Sequence, residues 1–235
     1  MNPTKDVIGT AIIEFSKNKN KKEIIVASDI CEDDSIPVFY LFRDFEAMPE
    51  LEKVALENCT GNILDVGAGA GIHARHLKNK GKNVKAIDVS AGAVQYMQSQ
   101  GIDARCINFR DLPEEKYDTL LLLMNGIGIA GKLSSLEDFL SFAKTRLTQQ
   151  GKIICDSTNV MYLYEDDDGA MWMDLNSEYY GNFKFKMKYN SIETDWFDWL
   201  YVDYNTLSEK AENVGLHVKL LFEDDTHFLV EMTKK

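Results

Sequence analysis

The sequence predicts an α/β fold with a doubly wound, mostly parallel sheet. Between residues 62 and 156, short apolar runs alternate with segments of helical spacing, which is the pattern of repeated strand–helix–strand units. Residues 117–124 are too apolar to alternate, as is typical of a parallel strand covered on both faces. The apolar run at residues 62–66 leads into three glycines at alternate positions, which indicates a strand entering a tight turn.

Composition limits the classes of function. The 235 residues suffice for one large α/β domain with an elaboration. The net charge of −12 argues against a general nucleic-acid binder, because such proteins carry an excess of basic residues. The four cysteines are scattered without metal-ligand spacing, so we read them as reduced thiols and expect a cytoplasmic protein. No apolar run reaches membrane-spanning length, and no metal is expected because the acidic run at residues 165–168 lacks a spaced ligand set.

The glycine turn is the candidate binding site. Gly67, Gly69 and Gly71 lack Cβ atoms, so the backbone can adopt positive φ angles and a ligand can approach closely. A strand, a glycine turn and a helix N-terminus form a crevice suited to a nucleotide. In the dinucleotide fingerprint a third glycine would stand at Ile72. Asp65 stands two residues before the first glycine, and the segment from this acid to the last glycine resembles the first motif of class I S-adenosylmethionine-dependent methyltransferases.

The next strand is expected at residues 83–88 and ends in Asp88, about 20 residues after the first glycine, where an acid binds ribose hydroxyls. A carboxylate accepts two hydroxyl hydrogen bonds at once. The alternative is a solvated acid at a strand end, and we favour ribose binding. Ser90 is expected to cap the following helix. A dehydrogenase would fit almost as well up to this residue.

A third strand is expected at residues 103–107. The segment after it resembles the methyltransferase turn in which an acid, four residues before Leu-Pro, bonds the adenine amino group. Here Asn108 stands in the place of that acid and offers a carbonyl acceptor. Phe109, with its backbone N–H, is expected to cover the adenine ring. The loop after the strand at residues 117–124 borders the reactive methyl group in this family, which places Met124 and Asn125 near the sulfonium.

The resemblance therefore implies S-adenosyl-L-methionine as cofactor and S-adenosyl-L-homocysteine as product. The residues expected to hold the cofactor are Arg43, Asp65, Gly67, Ala68, Gly69, Gly71, Asp88, Val89, Asn108, Phe109, Met124 and Asn125.

Residues 1–49 are predicted to form an N-terminal cap, with a helix over residues 6–15, a strand at residues 23–27 and an aromatic-rich segment at residues 36–45. The cap either completes the core or covers the cofactor as a lid. In the lid interpretation, Tyr40 lies over the site and Arg43 clamps a carboxylate.

Residues 50–235 are predicted to form the cofactor-binding domain, with residues 159–203 inserted as an antiparallel hairpin beside the site. Lys184, Lys186 and Lys188 alternate with apolar residues, and a solvated lysine face is favoured over an anion site. The hairpin aromatics indicate core or interface, with a substrate box as the alternative, and a homodimer through this hairpin is possible.

Ser134 with Glu137, and Thr206 with Glu209, form capping-box patterns for two further helices. A terminal hairpin then completes the seven-stranded plan that the resemblance implies, with strand order 3-2-1-4-5-7-6 and the last strand antiparallel.

The predicted function is methyl transfer to a small-molecule acceptor. The sulfonium is already electrophilic, so the protein mainly has to align the acceptor and exclude water. Tyr40, His73 and Asp156 are candidates for a base. Two alternatives remain: a protein that binds the cofactor without catalysis, and a nicotinamide-dependent oxidoreductase.

Overall fold

A computed structural model of the protein describes residues 5–165 and 178–235. The strands are β1 (Glu23–Ser28), β2 (Asp34–Pro37), β3 (Asn62–Val66), β4 (Asn83–Asp88), β5 (Asp103–Cys106), β6 (Tyr117–Leu122), β7 (Leu147–Thr158), β8 (Asn182–Tyr189), β9 (Ile192–Glu193), β10 (Phe197–Leu200), β11 (Leu216–Glu223) and β12 (His227–Lys234). The helices are α1 (Val7–Asn18), α2 (Glu50–Asn58), α3 (Ile72–Asn79), α4 (Ala91–Ser99), α5 (Leu136–Thr145) and α6 (Tyr204–Asn213).

The main sheet has seven strands in the order β5-β4-β3-β6-β7-β12-β11. The strands from β5 to β7 are parallel, whereas β12 runs antiparallel to both of its neighbours. Numbered within this sheet alone, the order is 3-2-1-4-5-7-6. The predicted doubly wound, seven-stranded sheet with an antiparallel last strand is therefore confirmed.

Both faces of the main sheet are covered, which explains why residues 120–122 of β6 are all apolar. Leu120 and Leu122 point into one apolar layer together with residues of α5 and α6. Leu121 points into the opposite layer together with residues of α2 and α3. Because successive residues of a strand face opposite sides, a strand that is buried on both sides has no polar positions to alternate.

The N-terminal segment and the insertion together form a second, antiparallel sheet. Its order is β10-β8-β1-β2, and β9 pairs with β8. The expected strand pair of the insertion is present as β8 and β10, but β8 also pairs along its other edge with β1. The sequence suggested a separate cap and a separate hairpin, and the structure joins them in one sheet.

The N-terminal helix α1 is fastened to α4, the helix that follows Asp88. Glycines lie at the crossing, and a Cβ on Gly92 would stand 2.7 Å from the Cα of Gly9. The buried carboxylate of Asp6 accepts hydrogen bonds of 2.9 Å from the backbone N–H groups of both glycines. This close approach is possible only without side chains at the two positions.

Two helix starts differ from the predicted capping boxes. Helix α6 begins at Tyr204, and its cap is Asp203, whose carboxylate accepts from the N–H of Thr206. Helix α5 begins at Leu136 after a short 3-10 turn. Both predicted capping boxes were wrong. The first free N–H groups are satisfied by Asp203 at α6 and by the preceding 3-10 turn at α5.

No helix in the described ranges is long and apolar enough to cross a bilayer. The described side chains also contain no grouping of His, Cys, Asp and Glu that is arranged to hold a metal ion. Residues 166–168 of the acidic run lie outside the described residues.

Candidate functional site

The glycine turn lies at the carboxyl edge of β3. Gly67, Gly69 and Gly71 have φ angles of +72°, +55° and +72°, which favour glycine. A Cβ on Gly69 would meet no other described atom within 4 Å, whereas one on Gly71 would lie 2.7 Å from the Cγ of Met97. Gly69 therefore faces open space, and Gly71 is required by the packing beneath the turn.

The turn is held against the end of the neighbouring strand β4. The N–H groups of Gly67 and Ala68 both donate to the carbonyl oxygen of Ile87, at 2.9 and 3.1 Å. Because the N–H of Ala68 is already bonded within the turn, it is not free to donate to a ligand. The next N–H, that of Gly69, donates to Asp88.

Asp88 closes β4 beside this turn. Its carboxylate accepts from the N–H of Gly69 and from the N–H of Ser90, both at 2.8 Å. Burial raises the pKa of Asp88, while these two hydrogen bonds act in the opposite direction. Each oxygen keeps a second lone pair for a further donor. Val89, the next residue, is 37% exposed, so an apolar side chain borders the carboxylate.

Asp65 lies beneath the turn. It is 2% exposed, and its carboxylate accepts from the N–H of Ala74 in the first turns of α3 at 3.1 Å. Burial raises its pKa to about 6. The expectation that Asp65 touches the cofactor is not supported by this position, because its carboxylate is turned inward and ties α3 to the end of β3.

The segment after β5 carries Asn108 and Phe109. The side-chain oxygen of Asn108 accepts from the N–H of Arg110 at 2.9 Å, so one lone pair already stabilises the turn. Phe109 is 3% exposed, and its ring centroid lies 5.4 Å from that of Phe139 and 5.3 Å from that of Phe142. The structure therefore places the ring of Phe109 in the core, which corrects the expectation that the ring covers adenine and leaves its backbone N–H for that role.

The loop after β6 contains two consecutive residues in the left-handed region. Met124 has a φ of +64° and Asn125 a φ of +55°, and such strain persists only where the surroundings enforce it. Asp156 does so, because its carboxylate accepts from the N–H of Asn125 at 2.9 Å and from that of Gly126 at 3.4 Å. Thr158 adds a hydrogen bond of 2.8 Å to the side chain of Asn125.

Asp156 is therefore a positioning residue. It is 6% exposed, and burial raises its pKa to about 6. Both oxygens face the loop backbone, so the structure does not support its candidacy as the base. Met124 is 37% exposed and lies at the end of β6, close to where the resemblance places the sulfonium.

A buried group of charges connects the N-terminal segment to α3. Arg43 forms an ion pair with Glu52 of α2, and Nε2 of His73 is hydrogen-bonded to the same carboxylate at 2.8 Å. Burial alone would raise the pKa of Glu52, but the hydrogen bond with His73 and the charge of Arg43 together lower it. His73 is 4% exposed, and its contact with Glu52 argues against the predicted role as a base.

Arg43 has further contacts in the N-terminal segment. One terminal nitrogen donates to the carbonyl oxygen of Tyr40 at 2.7 Å, and the guanidinium stacks on the Tyr40 ring with 3.9 Å between the guanidinium carbon and the ring centroid. Nε of Arg43 is buried and has no hydrogen-bond partner among the described residues. Because this Nε is buried, the clamp role of Arg43 stays a prediction.

Comparisons with known proteins agree with this geometry. A family model described as a methyltransferase domain matches residues 63–151. A crystal structure of an S-adenosylmethionine-dependent methyltransferase from Bacteroides fragilis, in complex with S-adenosyl-L-homocysteine, is 40% identical. The match covers 100% of this chain and 97% of that one, with a TM-score of 0.93. The chain belongs to the class I S-adenosylmethionine-dependent methyltransferases.

More distant matches are consistent with this family. An uncharacterised methyltransferase from Staphylococcus carnosus is 22% identical over 196 residues, which cover 82% of this chain and 88% of that protein. A methyltransferase structure from Clostridium acetobutylicum, 15% identical with a TM-score of 0.57, covers 78% of this chain and 90% of that one. At this identity the likeness shows the fold alone.

The cofactor of this methyltransferase is S-adenosyl-L-methionine, and the edge of the main sheet fits it. This edge has open space over Gly69 and a carboxylate at Asp88 with free lone pairs, and Arg43 lies in the N-terminal segment with an unpartnered Nε. Glu52 was missed from sequence because a glutamate in the first turn of a helix normally indicates only a favourable helix dipole.

Proposed function

We propose that this methyltransferase transfers the methyl group to a small-molecule acceptor at the carboxyl edge of β3, β4 and β6. The observation that carries the proposal is that two features lie together on this edge: the open space over Gly69, and the loop at Met124 and Asn125 with its positive φ angles. The open space suits a close approach of the adenosyl group. The loop lies where the family binds the reacting end of the cofactor.

In this proposal the cofactor supplies an electrophilic methyl group, and the chain supplies orientation. Asp88 accepts the ribose hydroxyls with the lone pairs that Gly69 and Ser90 leave free. Val89, Asn108 and the N–H of Phe109 border the adenine.

The other end of the cofactor would be held by two further groups. Arg43 donates from Nε to the carboxylate, and Tyr40 keeps the guanidinium in place by stacking. The backbone of Met124 and Asn125, fixed by Asp156, lines the space around the sulfonium. Alignment and exclusion of water then provide most of the catalysis.

The acceptor has to approach beside the second sheet. Strand β10 packs on the loop after β6, where a Cβ on Gly128 would lie 2.3 Å from Nε1 of Trp199. Together with the net charge of −12, this enclosure favours a small molecule over a nucleic acid.

The location and assembly of the protein are further proposals. All four cysteines, which lie in the described ranges, are free thiols, and this supports a reducing compartment such as the cytoplasm. A homodimer through the inserted hairpin is supported by the exposed ring of Trp196 at its turn, and light scattering in solution measures it.

Calorimetry and turnover test the proposal. S-adenosyl-L-homocysteine should bind, Asp88→Ala should weaken that binding by about 1–3 kcal/mol, and Asp103→Asn at the opposite edge of the sheet should have no effect. Release of S-adenosyl-L-homocysteine with a panel of small acceptors would establish catalysis. Cofactor binding without turnover on any acceptor would favour a binding protein, and tight NADH binding in its place would favour an oxidoreductase.

A further inference from the structure

One face of the second sheet is aromatic and only half covered. Phe185 of β8 and Phe197, Trp199 and Tyr201 in and after β10 share this face, because they stand at alternate positions in paired strands. We name these four residues the aromatic wall. Helix α1 covers the other end of the same face, while all four wall residues remain half-buried.

The wall residues contact one another and leave ring surface exposed. The ring centroids of Phe185 and Phe197 are 6.4 Å apart, those of Phe185 and Tyr201 are 6.1 Å apart, and those of Phe197 and Trp199 are 6.3 Å apart. Aromatic side chains that serve only as core would be fully buried, as the neighbouring Phe183 is. The exposed ring area is therefore available to a ligand.

The wall lies beside the loop that the proposed function assigns to the methyl group. The indole of Trp199 contacts Gly128, whose N–H donates to the carbonyl oxygen of Asn125 at 2.9 Å. Val202, the residue after Tyr201, donates its N–H to the side chain of Ser157 at 3.0 Å. Ser157 directly follows Asp156, so the part of the wall formed by Trp199 and Tyr201 is fixed to the elements that shape this loop.

The charge on this face is negative. Asp34 pairs with Val26 in the sheet register, and Val26 in turn pairs with Met187, which places Asp34 on the same face as the wall. Burial raises the pKa of Tyr201 to about 12, and the nearby carboxylates of Asp34 and Asp156 act in the same direction. The three lysines of β8 stand at the intervening positions and lie on the opposite face.

We propose that the methyl acceptor binds against the aromatic wall and carries a positively charged amino group. This inference rests on the proposed function and specifies the class of its acceptor. Aromatic faces attract cations through their quadrupole, and the carboxylate of Asp34 on the same face adds a charge of the required sign. A neutral molecule of equal size would gain neither contribution, and an anion would be disfavoured by both.

The test uses the protein saturated with S-adenosyl-L-homocysteine and two probes that differ in charge. Phenethylamine is a cation at neutral pH, and 2-phenylethanol has the same ring without the charge. Calorimetry should show the amine binding at least about tenfold more tightly, a difference of about 1.4 kcal/mol. Equal binding of the alcohol would overturn the assignment of a cationic acceptor.

Variants locate the site. Phe185→Ala should weaken phenethylamine binding by about tenfold and Asp34→Asn by about threefold, with the second loss diminishing at high salt. Trp196→Ala removes an exposed ring of the same hairpin that is not part of the wall, and it should leave the affinity unchanged. Unchanged affinity in Phe185→Ala, or a loss in Trp196→Ala, would contradict the location.

Binding of S-adenosyl-L-homocysteine is measured for every variant and confirms that each has folded. If the wild-type protein binds this product but does not bind phenethylamine, the inference fails and the proposed function stands. If it binds neither, the proposed function itself fails.

Discussion

Substituting the turn glycines one at a time separates ligand binding from folding. Gly69→Ala places a methyl group in space that contains no described atom within 4 Å, and Gly71→Ala directs one at Met97 and Ile102, 2.7 and 2.9 Å away. Both residues have positive φ angles, so both variants carry the same kind of backbone strain. They differ in what the added methyl group meets.

The magnitudes follow from these contacts. An L-residue in the left-handed region costs about 1–2 kcal/mol, so Gly69→Ala should lower the free energy of unfolding by that amount. Gly71→Ala adds overpacking of about 1–3 kcal/mol, for a total loss of about 2–5 kcal/mol. If the cofactor occupies the space over Gly69, the same overpacking should appear there in binding and weaken it by about 5- to 150-fold.

Urea unfolding and calorimetry with S-adenosyl-L-homocysteine measure the two effects. We expect Gly69→Ala to be the weaker binder and Gly71→Ala the less stable protein. Wild-type affinity in Gly69→Ala would show that the cofactor does not approach this backbone, and would contradict the proposed site.

Three further substitutions test the supporting residues. Glu52→Gln should lower the free energy of unfolding by about 3–5 kcal/mol in urea, because it leaves Arg43 as an unpaired buried cation. Asp156→Ala should cost about 2–4 kcal/mol by removing the acceptor of two N–H groups, and crystallography should show the loop at Asn125 displaced. An unchanged loop would contradict that role. Burial raises the pKa of Asp65 from 3.8 to about 6, so its charged form destabilises the fold above pH 6. Wild type should therefore gain about 1.4 kcal/mol of stability from pH 7.5 to pH 5 relative to Asp65→Asn; parallel pH profiles would contradict this.

The main sheet could be predicted from sequence because its signals are local. Each parallel strand is a short apolar run bounded by turn residues, and the glycine turn and Asp88 lie at fixed distances along the chain. The family plan then supplies the strand order.

The second sheet could not be predicted in the same way. The pairing of β1 with β8 joins residues about 160 positions apart, such as Ile25 and Lys188, and neither strand specifies its partner through its own pattern. The same limit applies to the side chains at the site. The sequence placed Asp65, His73 and Asp156 at the right edge, but only the fold shows that their polar atoms are turned inward to other protein groups.

A crystal structure of the protein with S-adenosyl-L-homocysteine is the decisive test of the proposed cofactor site. We predict the adenosyl group against Gly69, with the ribose hydroxyls on the carboxylate of Asp88 and the sulfur beside Met124 and Asn125. Product bound elsewhere, with Asp88 making no contact to it, would rule out this site.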